Sequence, residues 1–365
     1  MNILLLSNHL NVGGISSYIL TLAKGLQNKG HKVYVASGAG ELLVRLKDEG
    51  IIHIPVPLKT KAEISPNVLI SFFKLLPEMK KKNIDIIHAN TRVTQVLSCF
   101  LSRYSGAPFI STCHGFFKKR LFRKILSCWG ERVIAISEQV KEHLVNDFGV
   151  QKNRIRLVHN GIDLTKFSPQ LSAFSFQQKK DFALSDGPVI GIVARLSDVK
   201  GHIYLIQAMK MVLEKIPSAQ LVIVGEGKIK DSLVKLSREL CIEKSMKFIP
   251  NVMDTRGILS VIDLFVLPSL KEGLGLSLME AMSMGKAVVG SNIGGIKSLI
   301  QHRVNGLLVE PANPEQLALA IIELLQDAAK RELFGQRALE FIAGNFSQSD
   351  MISKTEEVYQ ECVKR

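Results

Sequence analysis

Two doubly wound α/β domains in tandem are the fold this sequence predicts, and three observations predict it. Short apolar runs alternate with longer amphipathic stretches almost from end to end. The rhythm breaks once, between Leu164 and Pro188, and then restarts. The 365 residues are too many for one small domain and fit two of ordinary size. Alternating strand and helix patterns imply βαβ units and a mainly parallel sheet with helices on both faces.

In the first series, Ile3–Leu6, Lys32–Ala36, Ile84–His88, Phe109–Cys113 and Arg132–Ile136 read as strands, each beside a helical pattern. Residues 1–165 form this domain. Residues 166–187, rich in Ser, Gln, Lys and Asp and set between Pro169 and Pro188, read as a linker. Residues 188–346 repeat the alternation, with strands at Pro188–Val193, Leu221–Val224, Met246–Ile249, Leu264–Leu267 and Ala287–Gly290. One more amphipathic helix, about 347–365, ends the chain and is expected to pack back on the first domain. Ligands of open α/β sheets bind outside the carboxyl ends of the strands, and two such domains facing each other are expected to enclose a central cleft.

Composition excludes several classes. A hydrophobic fraction of 46% with 22% charged residues is globular, not disordered. No apolar run approaches the ~18–20 residues that span a bilayer. The N-terminus has no basic segment ahead of Ile3–Leu6, so it reads as a buried strand and not a secretion signal. Five scattered cysteines without a C-x-x-C argue against a disulfide framework or a zinc site and for a reducing cytoplasm. The net charge of +14 is uneven: residues 1–168 carry 24 Lys and Arg against 11 Asp and Glu, the remainder 23 against 22. The basic half should therefore meet something anionic, such as a membrane surface, a nucleic acid or a phosphorylated acceptor.

The motifs fall just after strands. Asn11-Val12-Gly13-Gly14-Ile15 leads into a helix over Ser16–Lys29. Paired glycines admit close approach of a ligand, and a helix N-terminus favours anions, although an ordinary tight β–α turn would look the same. No G-x-G-x-x-G is present: Gly225-Glu226-Gly227 has Lys230 where the third glycine would stand, which disfavours a nicotinamide dehydrogenase. After the first strand of the second domain, Arg195 and Lys200 share one loop. Arg binding bidentately and Lys as a point charge would offset about two charges of a pyrophosphate. The densest signal is Pro268–Met282, a glycine-bearing loop with Glu272 followed by a helix with Glu280. Gly273 and Gly275 leave N–H groups free for a phosphate or hydroxyl, and a carboxylate accepts two vicinal hydroxyls of a ribose or hexose. Glu280 interrupts the apolar set Leu276, Leu278, Met279 and Met282, so if it is buried it needs a partner.

Glu272 and Glu280, with seven residues between them, resemble the E-x7-E motif of the retaining GT-B glycosyltransferases, specifically glycosyltransferase family 4. The resemblance covers nearly the whole chain in the family's order. It takes in Gly13-Gly14, Thr112-Cys113-His114-Gly115, Asn160–Asp163, Arg195 with Lys200-Gly201, Val224–Gly227, Gly294-Gly295 and Asn305–Val309. Ala194 departs from it, standing where the family usually has Gly. The resemblance implies two Rossmann-like domains and transfer of a sugar from a nucleotide sugar, UDP by frequency, with the anomeric configuration retained. It also implies site roles: Arg195 and Lys200 on the diphosphate with the Gly14 amide, Glu280 on the ribose, Glu272 with the Gly275 and Leu276 amides on the donor sugar. His114 would lie near the reacting carbon. The catalytic set is accordingly His114, Glu272, Arg195 and Lys200. No carboxylate pair of the retaining-glycosidase kind is evident, so front-face attack is expected, with the leaving phosphate taking the acceptor proton. No Asp-x-Asp occurs, so no metal and no other cofactor is expected.

His114–Trp129 carries five cations among Phe, Leu, Ile and the only Trp. As a helix it would present one apolar and one basic face, as interfacial helices do. Lys118, Lys119, Arg120, Arg123, Lys124 and Trp129 are the expected membrane or acceptor surface of a cytoplasmic enzyme, peripheral on the inner face of the membrane. The acceptor would be a glycan or lipid-linked molecule of cell-surface polysaccharide or lipopolysaccharide synthesis. A sugar-nucleotide epimerase of the same architecture is the rival enzyme, and a basic nucleic-acid-binding protein the rival from another class. The E-x7-E block disfavours the first, and the absence of a recognised binding motif the second.

Overall fold

The computed structural model describes residues 1–60, 62–118, 127–169 and 179–363. It divides into two compact units, Met1–Gly161 with Gln348–Arg365, and Ile162–Ser347.

The first unit is a seven-stranded parallel sheet. Its strands are β1 (Asn2–Leu6), β2 (Lys32–Ser37), β3 (Ile52–Pro55), β4 (Ile86–Ala89), β5 (Phe109–Cys113), β6 (Arg132–Ala135) and β7 (Ile155–Leu157), in the order β3-β2-β1-β4-β5-β6-β7. Its helices are α1 (Gly14–Asn28), α2 (Leu43–Asp48), α3 (Pro66–Lys81), α4 (Arg92–Ser105) and α5 (Glu138–Phe148). β1 sits between β2 and β4, with Leu4 level with Tyr34 and Ile87. Its unbroken run of Ile and Leu follows from burial on both faces, as in sheets wrapped by helices. Ile3 and Leu5 share a cluster with Ile19, Leu22 and Leu26 of α1, while Leu4 and Leu6 join Leu75 and Met79 of α3 and Leu97 and Leu101 of α4.

The chain's last helix, Gln348–Val363, belongs to this unit and covers the α1 face with Met351, Ile352, Val358 and Tyr359. Glu361 accepts from Arg132 Nε at 2.8 Å and Arg156 Nε at 2.9 Å, and Glu356 from His31 at 2.8 Å.

The second unit is a six-stranded parallel sheet in the order β10-β9-β8-β11-β12-β13. The strands are β8 (Val189–Val193), β9 (Gln220–Val224), β10 (Met246–Ile249), β11 (Leu264–Leu267), β12 (Ala287–Ser291) and β13 (Leu307–Val309). Between them run α6 (His202–Lys215), α7 (Lys230–Glu239), α8 (Arg256–Val261), α9 (Leu276–Ser283) and α10 (Ile296–Leu299), with α11 (Pro314–Gln326) and α12 (Ala328–Asn345) following. β8 lies at the centre, so the strand order reverses between β8 and β11. A doubly wound sheet opens its ligand crevice at such a point.

The expected linker is not separate from this unit where it is described. Phe167 is buried, and Ser185 N–H donates to Gln220 Oε1 at 2.8 Å. Three strands carry no sequence expectation: β3 and β7 at the two edges of the first sheet and β13 at an edge of the second. They are three or four residues long, and Ile54, Ile155, Leu307 and Val309 are their only buried residues.

Candidate functional site

In the second unit the loops after β8, β9, β11 and β12 converge at the reversal point. Glycines set how closely they pack. A Cβ on Gly227 would stand 1.9 Å from Leu196 O, and one on Gly201 1.9 Å from Pro268 O. Leu196 N–H donates to Glu226 O at 2.9 Å and Leu270 N–H to Val199 O at 2.8 Å, so the β8 loop is clamped on both sides. This clamp fixes the segment that carries Arg195 and Lys200 just past the carboxyl end of β8. Arg195 is exposed and engages no carboxylate among the described residues. Lys200 Nζ pairs with Glu272 Oε2, joining the β8 loop to the β11 loop. Glu272 also accepts from Ser269 Oγ at 3.3 Å, and its backbone carbonyl accepts from Gly295 N–H at 3.0 Å.

α9 starts at Gly275, which has φ 101° and caps the helix without a side chain. Only glycine takes this backbone without strain, and the first amides of α9, that of Leu276 among them, have no capping side chain to satisfy them. Little more than a turn on, Glu280 meets the partner its apolar surroundings demanded: Thr255 Oγ1 donates to Glu280 Oε2 at 2.8 Å. Thr255 sits at the N-cap of α8 and makes no side-chain cap there, its hydroxyl being committed to Glu280. Burial pushes the Glu280 carboxyl up to about 7, against the offsets of the Thr255 hydrogen bond and the positive Lys166. The residue keeps some solvent access, so this acid is enclosed but reachable.

In the first unit the corresponding strand ends carry Gly14 and His114. Gly13-Gly14 opens α1, a 15-residue helix whose N-terminus bears no side-chain cap. His114 follows β5, with Nε2 3.1 Å from Asn90 Oδ1 and its ring edge-on to Tyr18 at 4.7 Å between centroids. Asn90 Nδ2 donates to Leu6 O and His88 O, each at 3.3 Å. Its Oδ1 is thus the end that faces the imidazole, which assigns the proton to His114 Nε2 and leaves Nδ1 as an acceptor. Burial lowers His114 to about 3, so the ring is neutral near pH 7 and acts as a hydrogen-bonding group rather than a cation. Behind it, His88 bridges Tyr359 at 2.7 Å and Thr112 at 2.6 Å, tying the last helix to the strand end that carries His114.

Within the expected basic surface, Trp129 is placed differently. Lys119, Arg120, Arg123 and Lys124 lie outside the described residues. Lys118 is exposed, but Trp129 is 3% exposed and is not a surface residue. Its ring lies 5.5 Å from Phe148 and 5.9 Å from Phe117, and the Arg92 guanidinium lies 5.6 Å from its centroid. A side chain with this much apolar area gains more from an aromatic cluster than from a polar face.

Thr255, Lys166 and Asn90 went unmarked in the sequence. A carboxylate inside an apolar helix stripe signals that some partner exists but not which. Asn90, two residues after a buried strand His, carried no pattern at all.

Residues 12–166 match the family model described as Glycosyltransferase Family 4, and residues 174–341 that described as Glycosyl transferases group 1. An uncharacterized glycosyltransferase of Methanocaldococcus jannaschii is 29% identical, over 96% of this chain and 94% of that protein. The UDP-Gal:alpha-D-GlcNAc-diphosphoundecaprenol alpha-1,3-galactosyltransferase of Escherichia coli is also 29% identical, over 81% of this chain and 79% of its own length. Among solved structures, Anabaena HepE in complex with UDP and glucose superposes with a TM-score of 0.88 at 22% identity, covering 99% of each chain. The likeness to that structure is one of fold.

Proposed function

The chain belongs to the group 1 glycosyltransferases of the GT-B fold, and from that premise we propose that it transfers a hexose from a UDP-sugar to a glycan or lipid-linked acceptor, with retention of anomeric configuration. One arrangement carries the reading: Lys200 paired to Glu272 at the strand-order reversal, with Glu280 one helix turn behind on Thr255. Cation, free amides and two carboxylates are the groups that a diphosphate, a sugar and a ribose require. The E. coli relative, whose name gives a UDP-linked donor and a diphosphoundecaprenol acceptor, supports the choice of UDP and of a lipid-linked acceptor. Such acceptors belong to cell-surface polysaccharide or lipopolysaccharide synthesis, and we place the reaction at the cytoplasmic face of the membrane.

In this reaction the bond from the anomeric carbon to the diphosphate oxygen breaks and one to the acceptor oxygen forms. Negative charge grows on the leaving diphosphate, where Arg195 and Lys200 stabilise it. The acceptor proton passes to the leaving phosphate oxygen on the same face of the sugar. His114, neutral and with Nδ1 free of the proton, is able to accept a hydrogen bond from a sugar hydroxyl and gives no proton. Arg195 and Lys200 supply positive charge at the diphosphate, so the reading requires no divalent metal.

Release of free nucleotide from a panel of nucleotide sugars, with bacterial lipid extract as acceptor, tests this. UDP should be released only when acceptor is present, EDTA should leave the rate unchanged, and NMR should find the donor's anomeric configuration in the product. Turnover without acceptor would favour an epimerase, an inverted anomer would remove the front-face mechanism, and loss of activity in EDTA would overturn the metal-free reading.

A further inference from the structure

We propose that the outer face of α3, continued by the C-terminal half of α4, is a surface that lies on an anionic lipid bilayer. At 100° per residue, Leu69, Ile70, Phe73, Lys74, Pro77, Lys80 and Lys81 fall within an arc of about 140° on α3. All seven are exposed, whereas Val68, Ser71, Leu75 and Met79 on the opposite side are buried in the sheet cluster or beside it. The exposed apolar side chains are large: Phe73 is 65% exposed, Leu69 58% and Ile70 54%. α4 packs beside α3 and adds Tyr104 at 65% and Phe100 at 45%. Phe72 joins the two, its ring 5.3 Å from those of both Phe73 and Tyr104. Soluble surfaces scatter such residues singly, and a contiguous group of this kind marks a contact.

Charge selects the occupant. The apolar residues fill the N-terminal half of the α3 face, and Lys74, Lys80 and Lys81 its C-terminal half, with Arg103 exposed on α4. The one acid of α3, Glu78, is bound to Lys82 at 3.0 Å. Apolar and aromatic side chains entering the acyl boundary, with cations level with lipid phosphates, is the pattern of an interfacial helix. A second copy of the chain fits worse, since a self-complementary contact would bring two sets of lysines together without acids to meet them. The surface belongs to the first unit alone and is independent of the donor chemistry. It would give the lipid-linked acceptor reading its site of membrane contact, at residues distinct from those of the Lys118–Trp129 segment.

Co-sedimentation of the full chain with phosphatidylcholine vesicles, with and without phosphatidylglycerol, tests the assignment. The wild type should bind in proportion to phosphatidylglycerol and be released by salt. Each lysine near an anionic surface is worth about fivefold in partitioning, so Lys80→Glu with Lys81→Glu should weaken binding at least tenfold. Ile70→Ser with Phe73→Ser should weaken it by at least about tenfold as well. Lys235→Glu in the second unit should leave it unchanged. A UDP-induced thermal shift equal to wild type certifies that each variant is folded and separates failure here from failure of the donor reading. Binding unchanged in both double variants, or binding indifferent to phosphatidylglycerol, overturns the proposal. So does a wild-type dimer that the Ile70→Ser, Phe73→Ser variant dissolves, which would make the face a protein interface.

Discussion

Burial lifts the Glu280 carboxyl to about 7, and the hydrogen bond from Thr255 with the charge of Lys166 offsets only part of that. A folded-state value above that of the unfolded chain means the native protein holds this proton more tightly. Its cost to stability is absent below the ordinary carboxylate range, grows as pH rises through the unfolded and then the folded value, and is complete above about 7. Glu280→Gln keeps the shape without the charge, so it should gain stability relative to wild type between pH 5 and 8, by on the order of 1–3 kcal/mol. Ribose hydroxyls need the ionised form as acceptor, so wild-type UDP affinity should rise more steeply from pH 6 to 8 than that of the Gln variant, in which the terminal phosphate of UDP still titrates but residue 280 does not. Calorimetric titration across this range checks both; a wild-type profile no steeper than that of the Gln variant would remove Glu280 from the ribose. That this acid needed a partner was readable from the apolar residues around it. That the partner is Thr255, 25 residues upstream, was not, because a lone Thr before a short helix looks like any N-cap.

The elements that carry the site are loops held by backbone contacts. In the sequence, Gly225 and Gly227 invite comparison with a phosphate-binding fingerprint. In the structure they let the β9 loop lie against Ala194–Leu196, where a side chain on either would strike a carbonyl at about 2 Å. Gly227→Ala should therefore displace the segment bearing Arg195, cost roughly 1–3 kcal/mol of stability, and weaken UDP binding although Gly227 is assigned no contact with the donor. Chemical denaturation and a UDP titration on the same variant test this; undiminished affinity would mean that the loop contact does not position Arg195. Strands of four to six residues with helices between them were legible because their apolar runs are bounded. β3, β7 and β13 were not, and Trp129 was misplaced for a related reason. Cations interleaved with aromatics make the same pattern whether the aromatics face lipid or pack inward, and only the contacts with Phe117 and Phe148 decide between them.

At the scale of the molecule, two parallel sheets share a plan: motif residues stand at the carboxyl ends of the strands in both, Gly14 and His114 in one, Arg195, Lys200, Glu272 and Glu280 in the other. The near-confinement of excess positive charge to the first 168 residues pointed to an anionic partner before any surface was known. The apolar face of α3 could not be read with it, since Leu69, Ile70 and Phe73 look like core until the sheet is seen to cover the other side of the helix.

A thermal-shift series with UDP, GDP, ADP and their sugar conjugates on wild type, Glu280→Ala and Lys200→Ala decides whether these residues form a donor site. A nucleotide at 100 times its Kd adds about 2.7 kcal/mol to the state that binds it, enough to raise Tm by roughly 5 °C or more. Stabilisation of the wild type by UDP and its sugars, lost in both variants, is the predicted result. No shift with any nucleotide, or a shift that both variants keep, would contradict a donor site built on Lys200, Glu272 and Glu280.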